Sequence, residues 1–199
     1  FIWNYQFKPI TGQQASCFFS VKSFELALTY FQLQNYVYYD EYAQPKQYLN
    51  NIAIAQIRLD KDFKYHNWRF DNTLYYQSLS NKDIIRLPAL ISNNILYFEH
   101  DLFKSALIAQ FGVEMTFYGA YKPLAWMPAT REFYLQNTFK TGNYPYLDFF
   151  INLKIKQARL FLKLDHFNSG MMGYHYYSIP KYPMQDRAFR FGVSWIFYQ

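Results

Sequence analysis

Apolar and polar residues alternate with a period of two along most of this chain. The clearest stretch is residues 189–199, whose apolar row is Phe189, Phe191, Val193, Trp195 and Phe197. The intervening positions include Arg190, Gly192 and Ser194. Successive side chains of a strand point to opposite faces, so the apolar row would occupy one face of a strand. We therefore predict an amphipathic strand here, with aromatic residues along one side.

The same alternation predicts about ten strands in all. Their apolar rows lie at residues 3–7, 17–21, 24–30, 53–59, 68–76, 92–100, 107–117, 149–155, 160–164 and 189–197. No window shows sustained helical periodicity, and no run of about 18 apolar residues could form a transmembrane helix. The row at 107–117 has a length that suits a tilted bilayer crossing by a strand. The pattern predicts an all-β, antiparallel protein.

The predicted connections are alternately short and long. Short links are expected at Thr11–Gly12, at Lys61–Lys64, at Asp101–Lys104 and after Ile155. The long loops are expected at residues 40–47, 80–90, 122–145 and 169–186. Short turns at one end and long loops at the other are typical of outer-membrane barrels, whereas a soluble sandwich has no reason to sort its loops. We predict one transmembrane β-barrel domain over residues 1–199, or the C-terminal portion of one.

The composition supports a membrane location. Aromatic residues make up 23% of the chain and charged residues only 17%, and aromatic belts at the two membrane interfaces would use that surplus. The net charge is +6, but Lys and Arg are scattered singly, so we expect no nucleic-acid partner. Residues 1–6 lack a basic segment followed by a continuous apolar one, so we do not expect them to be a signal peptide.

The sequence gives little indication of a catalytic or metal-binding site. His66, His100, His166 and His175 have no metal-ligand spacing. His166 follows Asp165, but neighbours on a strand point to opposite faces, which argues against a catalytic dyad. Cys17 has no nearby base that would lower its pKa, so a buried or lipid-facing thiol is expected rather than a nucleophile. We expect no enzyme activity, no cofactor and no metal.

The two faces of the predicted strands give the candidate functional residues. The row opposite the apolar one would face the lumen. Its charged candidates are Arg69, Asp71, Glu114, Asp148, Lys154, Lys156, Arg159, Lys163, Asp165 and Arg190. Rings of Lys and Arg favour anions, so the group Lys154, Lys156 and Arg159 predicts a weak anion preference, although solvated charges at a rim would have the same sequence pattern. The residues expected to face lipid on the terminal strand are Phe189, Phe191, Trp195 and Phe197.

Three segments resemble a known family. They are residues 127–137 (MPATREFYLQN), residues 141–150 (TGNYPYLDFF) leading into 155–163 (IKQARLFLK), and residues 179–187 (IPKYPMQDR) before the last strand. They are similar to the C-terminal region of the putative-porin family of Bacteroidota, whose members are longer and are expected to form outer-membrane barrels. The resemblance implies a barrel in the outer membrane and brings no catalytic residues.

The predicted function is a porin-like channel for passive diffusion of small solutes. One alternative is a structural barrel that scaffolds an export or assembly complex, and a third is a secreted β-sandwich that binds carbohydrate through its tyrosines. The expected partners are the lipid bilayer, lipopolysaccharide, the barrel-assembly machinery that would read the terminal aromatic strand, and other outer-membrane subunits.

Overall fold

A computed structural model describes residues 5–104, 106–173 and 176–197, which form strands and no helix. The strands are β1 (Thr11–Val21), β2 (Phe24–Gln34), β3 (Tyr36–Tyr39), β4 (Pro45–Tyr48), β5 (Ile52–Tyr65), β6 (Trp68–Leu79), β7 (Leu90–Leu102), β8 (Leu107–Tyr118), β9 (Ala125–Met127), β10 (Glu132–Tyr134), β11 (Pro145–Ile155), β12 (Ala158–Asp165), β13 (Tyr177–Ile179), β14 (Tyr182–Pro183) and β15 (Ala188–Trp195). Within these residues, no helix is long and apolar enough to cross a membrane.

Nine of the strands form one antiparallel sheet in the order β1-β2-β5-β6-β7-β8-β11-β12-β15. Each strand pairs with the sheet strands before and after it in sequence, so the sheet is a simple meander. Among the described residues, β1 pairs only with β2 and β15 only with β12, and no closed barrel is formed. The all-β, antiparallel prediction is confirmed, whereas barrel closure stays a prediction.

The predicted sorting of connections is confirmed. Two-residue turns follow β1, β5 and β11, and a short turn joins β7 to β8. The first residue of each two-residue turn is left-handed, with φ of 53° at Lys22, 50° at His66 and 51° at Lys156. Four long connections lie at the other end, and three of them contain a small hairpin: β3–β4, β9–β10 and β13–β14.

The buried interior of the molecule lies at the long-loop end. Ile52 and His166 are fully buried there, and the amides of Gln77 and Gln136 are buried against loop carbonyls. The Gln77 amide donates to the Pro88 carbonyl at 2.6 Å. Buried polar groups need such partners, so these bonds fix the long loops against the end of the sheet.

Several predicted boundaries are wrong. Residues 5–10 form no strand, Trp3 lies outside the described residues, and Thr11–Gly12 belongs to β1 rather than to a turn. The predicted link Lys61–Lys64 lies within β5, because Phe63 continues the apolar row between Asp62 and Lys64 on the polar side. The true turn follows at His66. The strand that begins at Phe24 extends past its apolar row at residues 24–30 and ends at Gln34, because Asn35 is left-handed. The sheet therefore has nine strands rather than about ten.

Candidate functional site: the two faces of the sheet

One face of the sheet, which we call the apolar face, carries a large exposed apolar side chain on every strand. One from each strand in sheet order gives Phe19, Leu28, Ile57, Tyr76, Leu96, Phe111, Phe149, Leu162 and Phe191. Their exposed fractions range from 39% for Phe149 to 74% for Phe191. The described residues contain no second large sheet to cover this face, as a β-sandwich would require.

The terminal aromatics and Cys17 belong to this apolar face. Phe189, Phe191 and Trp195 lie on β15 and are exposed. Phe197 is also exposed but lies beyond the end of the strand, and residues 198–199 are outside the described part. Cys17 pairs in register with Leu28 and is exposed. An exposed apolar surface of this size marks contact with a membrane or a partner rather than with water.

The opposite face, which we call the polar face, holds nearly all the charged candidates from the sequence. Strand alternation and register place these on it: Arg69, Asp71, Glu114, Asp148, Lys154, Arg159, Lys163, Asp165 and Arg190. Lys156 is the exception, because it occupies the turn between β11 and β12. The structure therefore brings the candidates together on one surface that spans most of the sheet.

Five of these charges form a single cluster around Lys163. Asp148 and Glu114 are directly opposite in the β8–β11 register, which would destabilise the pair through like-charge repulsion. The Lys163 ammonium lies 2.8 Å from Asp148 and 3.2 Å from Glu114, and it also approaches Asp165 at 3.7 Å. Arg190 pairs with Asp165 from the next strand. Lys163 is thus the counterion that allows adjacent carboxylates on this face.

Two further bases on the polar face also have carboxylate partners. Arg69 pairs with Glu99 at 3.3 Å, and Glu99 accepts a 2.7 Å hydrogen bond from the amide of Gln110. Arg58 pairs with Asp60 at 2.8 Å on β5. The sequence analysis did not select Glu99, Arg58 or Asp60 as functional candidates, although each occupies the polar row of its strand.

Lys154 and Arg159 differ from these bases. They are directly opposite each other in the β11–β12 register, next to the short turn, and both are exposed. Neither makes an ion pair or a side-chain hydrogen bond with any residue that the structure describes. Both line a cavity of about 590 Å³ at this end of the polar face, together with Gln110, Asn152, Ser194 and Glu99, whose carboxylate is paired with Arg69. A pair of opposed cations without a carboxylate counterion is a site that attracts anions.

Two glycines on the polar face allow neighbouring strands to approach closely. A Cβ at Gly112 would collide with the Leu96 carbonyl oxygen and with the Cβ and Cα of Tyr97, and one at Gly192 would collide with the Phe161 ring. The Tyr97 and Phe150 rings also approach each other across β8, with centroids 6.3 Å apart, and Gly112 between them has no side chain. These glycines are therefore required by close packing between strands rather than by a turn.

His166 anchors the last long connection, a role that the sequence did not predict. Its Nδ1 donates to the Gln185 carbonyl at 2.7 Å, and the Tyr144 hydroxyl lies 2.7 Å from its Nε2. Its backbone N–H donates to Asp148 at 2.7 Å, which joins the loop to the Lys163 cluster. A carbonyl can only accept, so this tautomer carries its hydrogen on Nδ1. The side chains of Asp165 and His166 have different partners: Asp165 pairs with Arg190, and the His166 ring meets Gln185.

The first long connection has an electrostatic anchor as well. Burial by itself would raise the pKa of Asp40, but the Lys46 ammonium at 2.9 Å and the N–H groups of Gln44 and Tyr42 outweigh it and hold that pKa below its ordinary value. Asp40 therefore stabilises the β3–β4 hairpin above its ordinary pKa range, and this contribution is lost as the pH falls through the lowered value.

Comparison with known proteins identifies the family to which the chain belongs. The sequence profile of the putative porin family matches residues 1–199, the whole chain. The chain belongs to the putative porin family. The match extends the resemblance seen in the three C-terminal segments to the N-terminal strands as well. A search of curated proteins found no match, and no solved structure matches the chain. The putative porin assignment suggests an outer-membrane location.

Proposed function

We propose that this putative porin forms part of the wall of an outer-membrane β-barrel and that its polar face lines a water-filled path for small solutes. The single observation that carries the proposal is that large apolar side chains are exposed whereas charged side chains are nearly buried, the reverse of a water-soluble sheet. Phe111 is 45% exposed on the apolar face, whereas the side chain of Asp148 on the polar face is only 10% exposed. Lipid would cover the exposed apolar side chains, and the lumen would solvate the charges.

The two edges of the sheet add a requirement to this proposal. A strand edge in lipid leaves backbone groups without hydrogen bonds, so only closed barrels are stable there. The outer edges of β1 and β15 have no strand partner in the described part of the chain. A barrel of about eight strands is filled by side chains, whereas about sixteen leave an aqueous channel. We therefore propose that further strands, from the same polypeptide or from another subunit, complete a larger barrel.

The proposed solute preference is for anions and is weak. Lys163, Arg190, Arg69 and Arg58 are neutralised by carboxylates, so they contribute little net field. The cation pair Lys154–Arg159 keeps its charge, at the short-turn end, which is the periplasmic end in outer-membrane barrels. The proposed partners are the lipid bilayer, lipopolysaccharide, the barrel-assembly machinery and other outer-membrane subunits.

The test is to purify the native, full-length protein from the outer membrane and to reconstitute it into planar bilayers. We expect heat-dependent gel mobility, as for a folded barrel, and stepwise conductance. Recovery in a soluble fraction with no change of mobility on boiling would reject the membrane barrel. A folded, heat-modifiable barrel without conductance would reject the diffusion channel and favour the scaffold for an export or assembly complex.

A further inference from the structure

A second cavity, distinct from the Lys154–Arg159 one, lies at the long-loop end of the polar face. Its volume is about 340 Å³, within the range of small-ligand sites. Five tyrosines line it: Tyr118, Tyr121, Tyr144, Tyr176 and Tyr177. We call this cavity the tyrosine pocket. Tyr118 ends β8, and the other four come from the long connections that follow β8 and β12.

The walls of the tyrosine pocket are held in place from behind. The hydroxyl of Tyr144 meets the buried His166 at 2.7 Å, and the hydroxyl of Tyr176 donates to Asp186 at 2.6 Å. The Tyr144 and Tyr176 rings lie 5.5 Å apart between centroids. Tyr121 exchanges two backbone hydrogen bonds with Thr141, at 2.9 and 3.0 Å. A site held in this way would lose little conformational entropy when a ligand binds.

Three of the five hydroxyls have no such partner. The hydroxyls of Tyr118, Tyr121 and Tyr177 make no hydrogen bond with any described residue, although all three side chains are partly buried. Burial raises the pKa of Tyr121, so its hydroxyl stays protonated at neutral pH and can both donate and accept. Partly buried hydroxyls at the wall of a cavity are suited to bind hydroxyl groups of a ligand.

The chemistry of the lining selects the ligand class. Within residues 5–104, 106–173 and 176–197, no Lys, Arg, Asp, Glu or His lines the tyrosine pocket, so an ionised ligand would lose its hydration without gaining a counterion from them. The remaining polar lining groups are the hydroxyls of Thr141 and Ser178. Aromatic faces with interspersed hydroxyls match a molecule that has apolar ring faces and a rim of hydroxyls. We propose that the tyrosine pocket binds a neutral saccharide, with sugar rings packed on the tyrosine faces.

The proposal is tested by calorimetry on the purified, full-length protein in detergent, with maltotriose, cellotriose and xylotriose as probes. A galacturonic acid trimer serves as the charged counterpart, and p-nitrophenol as an aromatic compound without a sugar. We expect at least one neutral trisaccharide to bind and the charged trimer to bind at least about tenfold more weakly, because a buried unpaired charge is costly.

Variants at Tyr118 and Tyr121 assign the site. In Tyr118→Ala/Tyr121→Ala we expect the saccharide association constant to fall by about tenfold or more, through loss of ring contacts. In Tyr118→Phe/Tyr121→Phe the rings remain and only the hydroxyl bonds are lost, so a smaller decrease is expected. The matched control is Tyr42→Ala, an 83% exposed tyrosine at the same end that does not line the pocket.

The outcomes separate this inference from the proposed channel. Binding does not require conductance, so a non-conducting protein that binds trisaccharide supports the pocket and rejects only the channel. Three results would overturn the saccharide site: no trisaccharide binding, equal binding by the Ala pair and the wild type, or binding of p-nitrophenol alone. Unchanged heat-dependent mobility of the variants shows that they are folded.

Discussion

The apolar and polar faces of the sheet differ in how their side chains are satisfied. On the apolar face Phe19, Phe191 and their neighbours are exposed and have little to pack against. On the polar face Asp165 and Asp148 are nearly buried, and each carboxylate meets a cation from an adjacent strand. A water-soluble sheet would bury its apolar face and solvate its charges. The surroundings of this sheet must therefore supply contacts for the exposed side chains of the apolar face.

The largest expected effect comes from placing a charge on each face in turn. Leu28→Lys puts an ammonium in the middle of β2 on the apolar face, and lipid contact there predicts a loss of about 2–4 kcal/mol in folding free energy. The matched change is Ala27→Lys, on the neighbouring position of the polar face, which is expected to cost much less. Chemical unfolding in lipid vesicles measures both. Equal losses in the two variants would contradict the assignment of the faces.

A smaller effect on stability is expected to distinguish bases of the polar face that have a carboxylate partner from those that have none. Lys163→Met leaves the opposed carboxylates of Asp148 and Glu114 without their shared counterion. Because Lys163 is 30% exposed, we expect the free energy of unfolding to fall by about 2 kcal/mol, a value between those for exposed and buried ion pairs. Lys154→Met, which removes a base without a carboxylate partner, is expected to stay within about 0.5 kcal/mol of wild type.

The measurement is again chemical unfolding, now repeated in an Asp148→Asn/Glu114→Gln background. Removing the two opposed carboxylate charges relieves their repulsion, so the difference between Lys163→Met and its parent should shrink in that background. A difference that is the same in both backgrounds would mean that Lys163 acts through packing instead of charge.

The smallest expected effect concerns ion selectivity. Neutralising Lys154, Lys156 and Arg159 together to Gln should lower the anion-to-cation permeability ratio by about twofold, because the three bases lie near one mouth and Lys154 and Arg159 have no carboxylate partner among the described residues. Reversal potential in a salt gradient measures the ratio in the native, full-length barrel. Lys181→Gln, in the β13–β14 hairpin at the other end, serves as the control. An unchanged ratio in the triple variant would assign the three bases to solvated rim charge.

The sequence predicts the faces well because strand alternation is a local property. Phe24, Leu26 and Leu28 share a face in the sheet as their spacing indicates, and the rows of β8, β11 and β12 agree in the same way. The turn at His66 was missed because it contains no Gly or Pro, and its left-handed residue has no distinctive sequence signal.

The contacts on the polar face could not be predicted in this way. Lys163 meets Glu114 across an intervening strand, so their pairing depends on the registers of β8, β11 and β12 together. The burial of His166 depends on Tyr144 and Gln185, which lie in different long connections. The tyrosine pocket likewise combines residues from β7, β8 and three long connections, and no local pattern indicates that they meet.

A cysteine scan of β8 measures which solvent, lipid or water, each face of the sheet meets. Single cysteines at residues 108–117, omitting Gly112, are introduced into a Cys17→Ser background and spin-labelled in lipid vesicles. We predict that labels at 109, 111, 113, 115 and 117 are relaxed by oxygen dissolved in lipid, and that labels at 108, 110, 114 and 116 are relaxed by a water-soluble nickel chelate. Accessibility without this period of two, or with the two sets reversed, would contradict the account.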